Sequence, residues 1–290
     1  MIYTIKNEKF EASINSYGAQ LLHLQSLATC RQYLWCADES VWGKTSPVLF
    51  PQIGRVRDSY IKVGETVYNM TKHGFARNSE FAVEKKSESE IVFLMRDNDY
   101  TRTIYPYAFE FRVIFSLCGS TLKTIYEVKN TGTSEMYFAL GGHTGYSTEI
   151  GGAKLSDYKL VFDQPEHLVS EKVDLVRGLL SGEQEDFGER TEIALSAELF
   201  EKRDTLVFKN IVNKSVKLVG GGAEIRVDYP DFPNLAIWAM EGTERFVCIE
   251  PWIGHTDTVA TKHTLAKKES FARLDKGKTL TAEYDITVTE

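Results

Sequence analysis

A chain of 290 residues with 42% hydrophobic and 26% charged residues has the make-up of an ordinary globular protein, long enough to bury a large core. Its net charge of −7 argues against a nucleic-acid partner, which would require a basic patch, and no apolar run approaches the roughly 18 residues of a membrane span. The opening segment Met1-Ile2-Tyr3-Thr4-Ile5-Lys6 lacks the basic, apolar and small-residue regions of a secretory signal, so the expected location is the cytoplasm. Cys30, Cys36, Cys118 and Cys248 show no CxxC spacing and are expected to be free, buried thiols without a redox role.

Alternation of apolar and polar residues dominates the chain, as half-buried strands require, because successive side chains point to opposite faces. Residues 109–117 place apolar side chains at every odd position, Cys118-Gly119-Ser120-Thr121 supplies a turn, and residues 122–128 return antiparallel. Helical patterning is confined to about two turns over residues 196–202 and a shorter piece within 261–268. Residues 279–289 form a final strand with Leu280, Ala282, Tyr284, Ile286 and Val288 on one face. No βαβ rhythm, repeat, low-complexity segment or linker interrupts this order. The expectation is an all-β, large antiparallel β-sandwich with a few short helices, in one domain spanning 1–290 and built of many short strands.

Three segments carry ionisable residues where strand patterning expects core, or set them beside glycines that let a ligand approach the backbone. They are Lys72-His73-Gly74-Phe75-Ala76-Arg77-Asn78, the strand ending Gly141-Gly142-His143-Thr144-Gly145, and Phe246-Val247-Cys248-Ile249-Glu250-Pro251-Trp252. In the third, period-two counting sets Phe246, Cys248 and Glu250 on one face, and Pro251 is expected to end the ladder pairing. A partly desolvated carboxylate at a strand end makes a good base. The bland readings are structural: a hydrogen-bonding histidine, a glutamate in a salt bridge, a core tryptophan.

Together these segments resemble the aldose 1-epimerase (galactose mutarotase) superfamily. The likeness is nearest to its lactose-operon-associated branch, which shares the His73-Gly74-Phe75-Ala76-Arg77 pattern with the hexose-6-phosphate mutarotases. It runs from Ser16-Tyr17-Gly18-Ala19-Gln20-Leu21, through Pro47-Val48-Leu49-Phe50-Pro51-Gln52-Ile53-Gly54-Arg55, to the last strand. The resemblance implies a sandwich with an open cleft and a reaction that needs no cofactor and no metal. Glu250 would take the proton of the C1 hydroxyl, His143 would protonate the ring oxygen, and His73 would stabilise charge beside it. Arg55, Lys72, Arg77 and Trp252 would bind an aldohexose or its 6-phosphate. The family's sugar-binding Asp has only a loose equivalent in Asp204, where both the neighbouring residues and the spacing depart from the pattern.

Three other functions compete. His73, His143 and Glu250 match a facial metal triad in kind but lack any short His pairing that would preorganise an ion. A non-catalytic carbohydrate-binding module would show sugar binding without turnover. Glycoside cleavage needs two carboxylates flanking the bond, and the motifs supply only Glu250. His255 lies close enough in sequence to Glu250 to reach the site, whereas His23, His167 and His263 have no such context.

Overall fold

The computed structural model describes residues 1–290 and consists mainly of antiparallel strands. A three-stranded meander, Ile2–Lys6, Phe10–Asn15 and Gln20–Ser26, precedes a single 15-stranded sheet into which most later strands are drawn. The expected strands stand at Phe109–Cys118, Thr121–Asn130 and Thr279–Thr289, with the register and turn the alternation implies. All five positions on the apolar face of the last strand turn inward, four of them fully buried and Leu280 partly so.

The sheet becomes two layers by forking along one strand. Lys159–Asp174 bonds to Ser215–Gly220 through residues 159–162 and, further along the same edge, to Thr205–Phe208 through Ser170 and Glu171. Strands far apart in the hydrogen-bonded order then meet face to face. Thr144 and Tyr284 approach to 3.4 Å through their hydroxyls, and Phe50 and Phe111 lie 4.7 Å apart between ring centres. Between the layers sits a contiguous core of 64 buried residues. At the usual ~25 cal/mol per Å² of buried apolar surface, this core is the main source of stability.

Several expectations need correction. The strands are not uniformly short: Lys159–Asp174 and Leu179–Ala194 form a hairpin of two 16-residue strands with three register shifts. Its outward face is polar and interrupted by Pro165, so strict alternation fails there. Of the two expected helices, one is a single α-turn, Ala197–Glu201, capped by Ser196, and the other shrinks to a 3₁₀ turn at Leu265–Lys267, while an unexpected six-residue helix capped by Asn98 stands at Asp99–Ile104. Pro251 does not end its strand. Phe246–Ile253 runs through it because the Asn234–Trp238 side still pairs at Leu235. All four thiols are free, but only Cys248 is buried.

The loop at Lys72–Arg77 is held in a left-handed turn, with φ of 65° at His73 and 69° at Gly74. A Cβ on Gly74 would lie 2.2 Å from the Phe50 carbonyl oxygen, in a place that backbone occupies. Gly74→Ala should therefore cost at least about 2 kcal/mol, combining positive-φ strain with a clash that no rotamer relieves. Thermal unfolding should show a Tm lower by several degrees, and an unchanged Tm would mean that the turn is not so constrained.

Candidate active site

The chemistry gathers where two strands face each other. Leu140–Gly142 pairs with Phe246–Ile253 through Leu140↔Ile253 and Gly141↔Trp252, and Thr144–Ser147 resumes the same register at Thr144↔Ile249. Continuing that register sets His143 directly opposite Glu250. Directly opposed residues hold their Cβ atoms about 5 Å apart, and accordingly His143 Nδ1 stands 3.3 Å from Glu250 Oε1. Both side chains are almost wholly buried, and His143 Nδ1 and Glu250 Oε2 lack any hydrogen-bond partner.

The glycines flanking His143 make room for side chains, where the sequence suggested ligand approach to backbone. A Cβ at Gly141 would sit 2.6 Å from the Trp252 indole, one at Gly142 would press on the Tyr284 ring, and one at Gly145 would meet Trp42 and Trp35. His143 is thereby wedged among aromatic rings. It stacks on Trp42 at 5.0 Å between centroids and meets Trp238 edge-on at 5.4 Å.

His73 approaches His143 from the opposite loop, 5.5 Å between ring centres. Its Nδ1 accepts the Gly54 N–H at 3.1 Å, so in the neutral ring Nε2 carries the hydrogen. Lys72 and Arg77 from the same loop reach the same cavity of about 260 Å³, as do Asp204, Trp252 and Glu250. The buried Nε of Arg77 has no hydrogen-bond partner. Asp204, at a positive φ of 59°, accepts from the Thr205 hydroxyl at 2.8 Å and stands at the exposed rim.

Arg55 lies outside this cavity, in an adjoining basin, with its guanidinium across Gly178. His255 turns away too: its Nδ1 is 2.7 Å from the Thr256 carbonyl oxygen and its ring lies towards Glu171 and Lys209. His23 and His167 are exposed, while His263 stacks on Tyr60. The cavity's aromatic wall, Trp42 and Trp238 with Met240, escaped the sequence reading. Their one signal is a tryptophan in a loop and another at the end of a strand.

Electrostatically the pocket favours neutral groups. Burial raises Glu250 well above the usual carboxylate range, against the pull of Lys72 and of the Trp252 N–H, which lies near the carboxylate without completing a well-aligned hydrogen bond. Burial, then Lys72 and Arg77, push His143 down to about 3. His73 is pushed well below its usual value by burial, by His143 and by the cations. Loss of water also lowers Lys72 and Arg77, though a guanidinium stays charged.

One donor set could hold a metal, but it is not the triad that the sequence raises as a competing reading. Cys248 replaces His73: His143, Cys248 and Glu250 offer N, S and O atoms within 4.8 Å of one another. The donor chemistry suits zinc, yet Lys72 and Arg77 bring positive charge to the same pocket and oppose a dication.

The family model for aldose 1-epimerase matches residues 1–287. The chain belongs to the aldose 1-epimerase family. It is 29% identical over 309 aligned positions to the chromosomal LacX protein of Lactococcus lactis subsp. lactis, covering 99% of both chains. Its fold matches a galactose mutarotase related enzyme from Lactobacillus acidophilus with a TM-score of 0.94, 30% identity and coverage of 100% and 98%. A galactose mutarotase-like protein from Lactobacillus casei matches with a TM-score of 0.93 and 28% identity over the whole of both chains. The membership supports an isomerase-like enzyme acting on sugars, and no helix is long and apolar enough to cross a membrane.

The histidine shifts carry a consequence for stability. Because the folded protein holds His73 and His143 below their unfolded value of about 6.5, the unfolded chain binds more protons, and stability present above that pH is lost as pH falls. Glu250, shifted up, acts oppositely: its contribution fades as pH rises from about 4.5. Between pH 6.5 and 4.5, each histidine adds up to about 1.4 kcal/mol per pH unit to the slope. Replacing both by Asn should lower the slope of unfolding free energy against pH in that window, leaving the opposite contribution of Glu250, and an unaltered slope would show that neither ring is held neutral.

Proposed function

We propose that this protein is a mutarotase that interconverts the α and β anomers of an aldohexose, with Glu250 as base and His143 as acid. The observation that carries this reading is the 3.3 Å approach of the two groups at the wall of a sugar-sized cavity. In a cyclic sugar the anomeric hydroxyl and the ring oxygen share one carbon, so a proton acceptor and a proton donor acting on them must be neighbours. Glu250 takes the hydroxyl proton as the C1–O1 bond becomes a carbonyl, the C1–ring oxygen bond breaks, and that oxygen takes a proton from His143. Rotation about C1–C2 and closure on the other face return both protons. Each well-placed acid or base contributes about 10²–10⁴ in rate.

The pair conserves one proton throughout. Carboxylate with imidazolium becomes carboxylic acid with neutral imidazole on ring opening, and closure restores the starting pair. Burial favours the second form, which is the state that accompanies the open-chain sugar. His73 presents Nε2–H as a fixed donor beside His143, suited to charge developing on the ring oxygen. Trp42, Trp238 and Trp252 supply surface for an apolar sugar face, and Asp204 accepts hydroxyl hydrogens at the rim.

Glu250→Gln keeps the shape but cannot accept a proton. It should lower kcat for anomerisation by at least about 10³ while sugar affinity stays within severalfold, measured by polarimetry and calorimetry; His143→Asn should behave alike. In the wild type, kcat/KM should be bell-shaped in pH, lost when the pair gains a second proton well below the ordinary histidine range. The alkaline limb should lie above the ordinary carboxylate range, since Glu250 is shifted up. Near-wild-type turnover in Glu250→Gln, or a rate that keeps rising into alkali after background subtraction, contradicts the assignment.

An anionic substrate is supported by Lys72 and Arg77, which enter the cavity without forming an ion pair in an otherwise acidic protein. A sugar 6-phosphate would satisfy both, the guanidinium by paired hydrogen bonds. Glucose and galactose 6-phosphates should exceed the free sugars in kcat/KM by at least roughly tenfold, about 1.4 kcal/mol, and Arg77→Ala should erase the preference while sparing the free sugars. Equal handling by the wild type leaves neutral aldoses as substrates.

A further inference from the structure

Cys248 has no part in the proposed proton transfers, yet it lies beside the groups that perform them. It stands two residues before Glu250 on the same face of Phe246–Ile253, packed against Trp35 and Phe246. His143 faces Glu250 across the ladder. All three side chains are buried, and their nitrogen, sulfur and oxygen donors lie within 4.8 Å of one another. Two of these groups also hold unsatisfied atoms, since His143 Nδ1 and Glu250 Oε2 have no hydrogen-bond partner. A buried polar atom left alone costs free energy that a ligand restores.

The spacing matches a small tetrahedral cation. Nitrogen and oxygen ligands about 2.1 Å from a tetrahedral zinc stand about 3.4 Å apart. His143 Nδ1 and Glu250 Oε1 are already 3.3 Å apart. The longer zinc–thiolate bond sets the sulfur edge at about 3.6 Å, so Cys248 Sγ has about 1 Å to close at most. The fourth position opens on the cavity lined by His143 and Glu250, where water can enter. Magnesium and calcium take oxygen ligands, whereas thiolate with imidazole and carboxylate selects a borderline-soft ion such as zinc. Lys72 and Arg77 oppose a dication from the cavity side, but thiolate and carboxylate in direct contact with the ion cancel its two charges. Binding displaces to solvent the Cys248 thiol proton and the proton shared by His143 and Glu250.

We propose that His143, Cys248 and Glu250 form a zinc site that inhibits the protein reversibly, the ion occupying acid and base together and excluding the anomeric centre of the sugar. The inhibition rests on the mutarotase reading; the binding of zinc does not. Wild type treated with zinc chloride should lose anomerisation of glucose and galactose, followed by polarimetry, and regain it with a chelator. Magnesium at the same concentration should have no effect. Cys248→Ala leaves acid and base in place, so it should keep its basal rate and need at least roughly tenfold more zinc for half-inhibition, each protein being compared with its own metal-free rate.

Cobalt(II) reads the site without turnover. Its thiolate charge-transfer band in the near ultraviolet should appear in the wild type, weaken when galactose is added, and be lost in Cys248→Ala. Cys30, Cys36 and Cys118 are exposed and free to bind metal, so the signal that counts is the difference between the two proteins. Equal zinc sensitivity of the two, or a cobalt band of full strength in Cys248→Ala, would overturn the site and leave the mutarotase reading intact. A band lost in Cys248→Ala with no anomerisation by either protein would uphold the site and sink the reaction. Zinc that raises the rate would overturn the inhibition. Should Cys248→Ala fail to fold, judged by its Tm, Cys248→Ser removes the thiolate at nearly the same volume and carries the same comparison.

Discussion

The site depends on a register: one antiparallel ladder in which His143 falls opposite Glu250. A slip of one residue would turn every side chain of the His143 segment to the other face and separate the pair. What prevents a slip is steric. Gly141 fits under Trp252, Gly142 against Tyr284 and Gly145 beneath Trp42 and Trp35, and no side chain larger than hydrogen is accommodated at the first of these. Pro251 adds a second constraint. It has no N–H to give to the His143 side, so the ladder opens just where the two functional groups meet.

Much of this was legible in the sequence because it follows from local periodicity. The face shared by Phe246, Cys248 and Glu250 needs only period-two counting, and the structure buries all three, with Trp252 beyond them. The strands around residues 109–128 and 279–289 are legible for the same reason. The roles proposed for the histidines come from motif, not from pattern, and the structure brings His73 and His143 together from segments 70 residues apart in the chain.

What was illegible depends on long-range placement. The 16-residue hairpin tolerates Pro165 and a polar outer face because its bulges absorb the misfit, and those bulges erase the alternation that would have announced it. Trp42 and Trp238 read as core or surface aromatics until the fold sets them around the His143 ring. The sequence groups Arg55 with Arg77 as sugar ligands, yet the fold sets Arg55 at Gly178 on the wall of the neighbouring basin.

Two kinds of charge divide the labour around the cleft. Asp257 and Lys268 are wholly buried and joined directly, and Asp257 also accepts the Arg57 N–H and donates its own N–H to the Arg55 carbonyl. The neighbouring Thr256 hydroxyl accepts from the Arg55 N–H and donates to its carbonyl. Such a pair adds little net stability over an apolar substitute, since desolvation offsets attraction, but removing one partner strands the other and costs about 3–5 kcal/mol. Its use is to fix the backbone that carries Arg55. The charges of the cavity are arranged in the opposite way: Lys72 and Arg77 are brought in without ion-pair partners, and His143 and Glu250 retain unpartnered atoms beside each other. The fold thus keeps an ion-paired charge, Asp257 with Lys268, behind the cleft wall and sets Lys72 and Arg77, which have no ion-pair partner, facing the cavity, where a polyhydroxylated ligand would complete them.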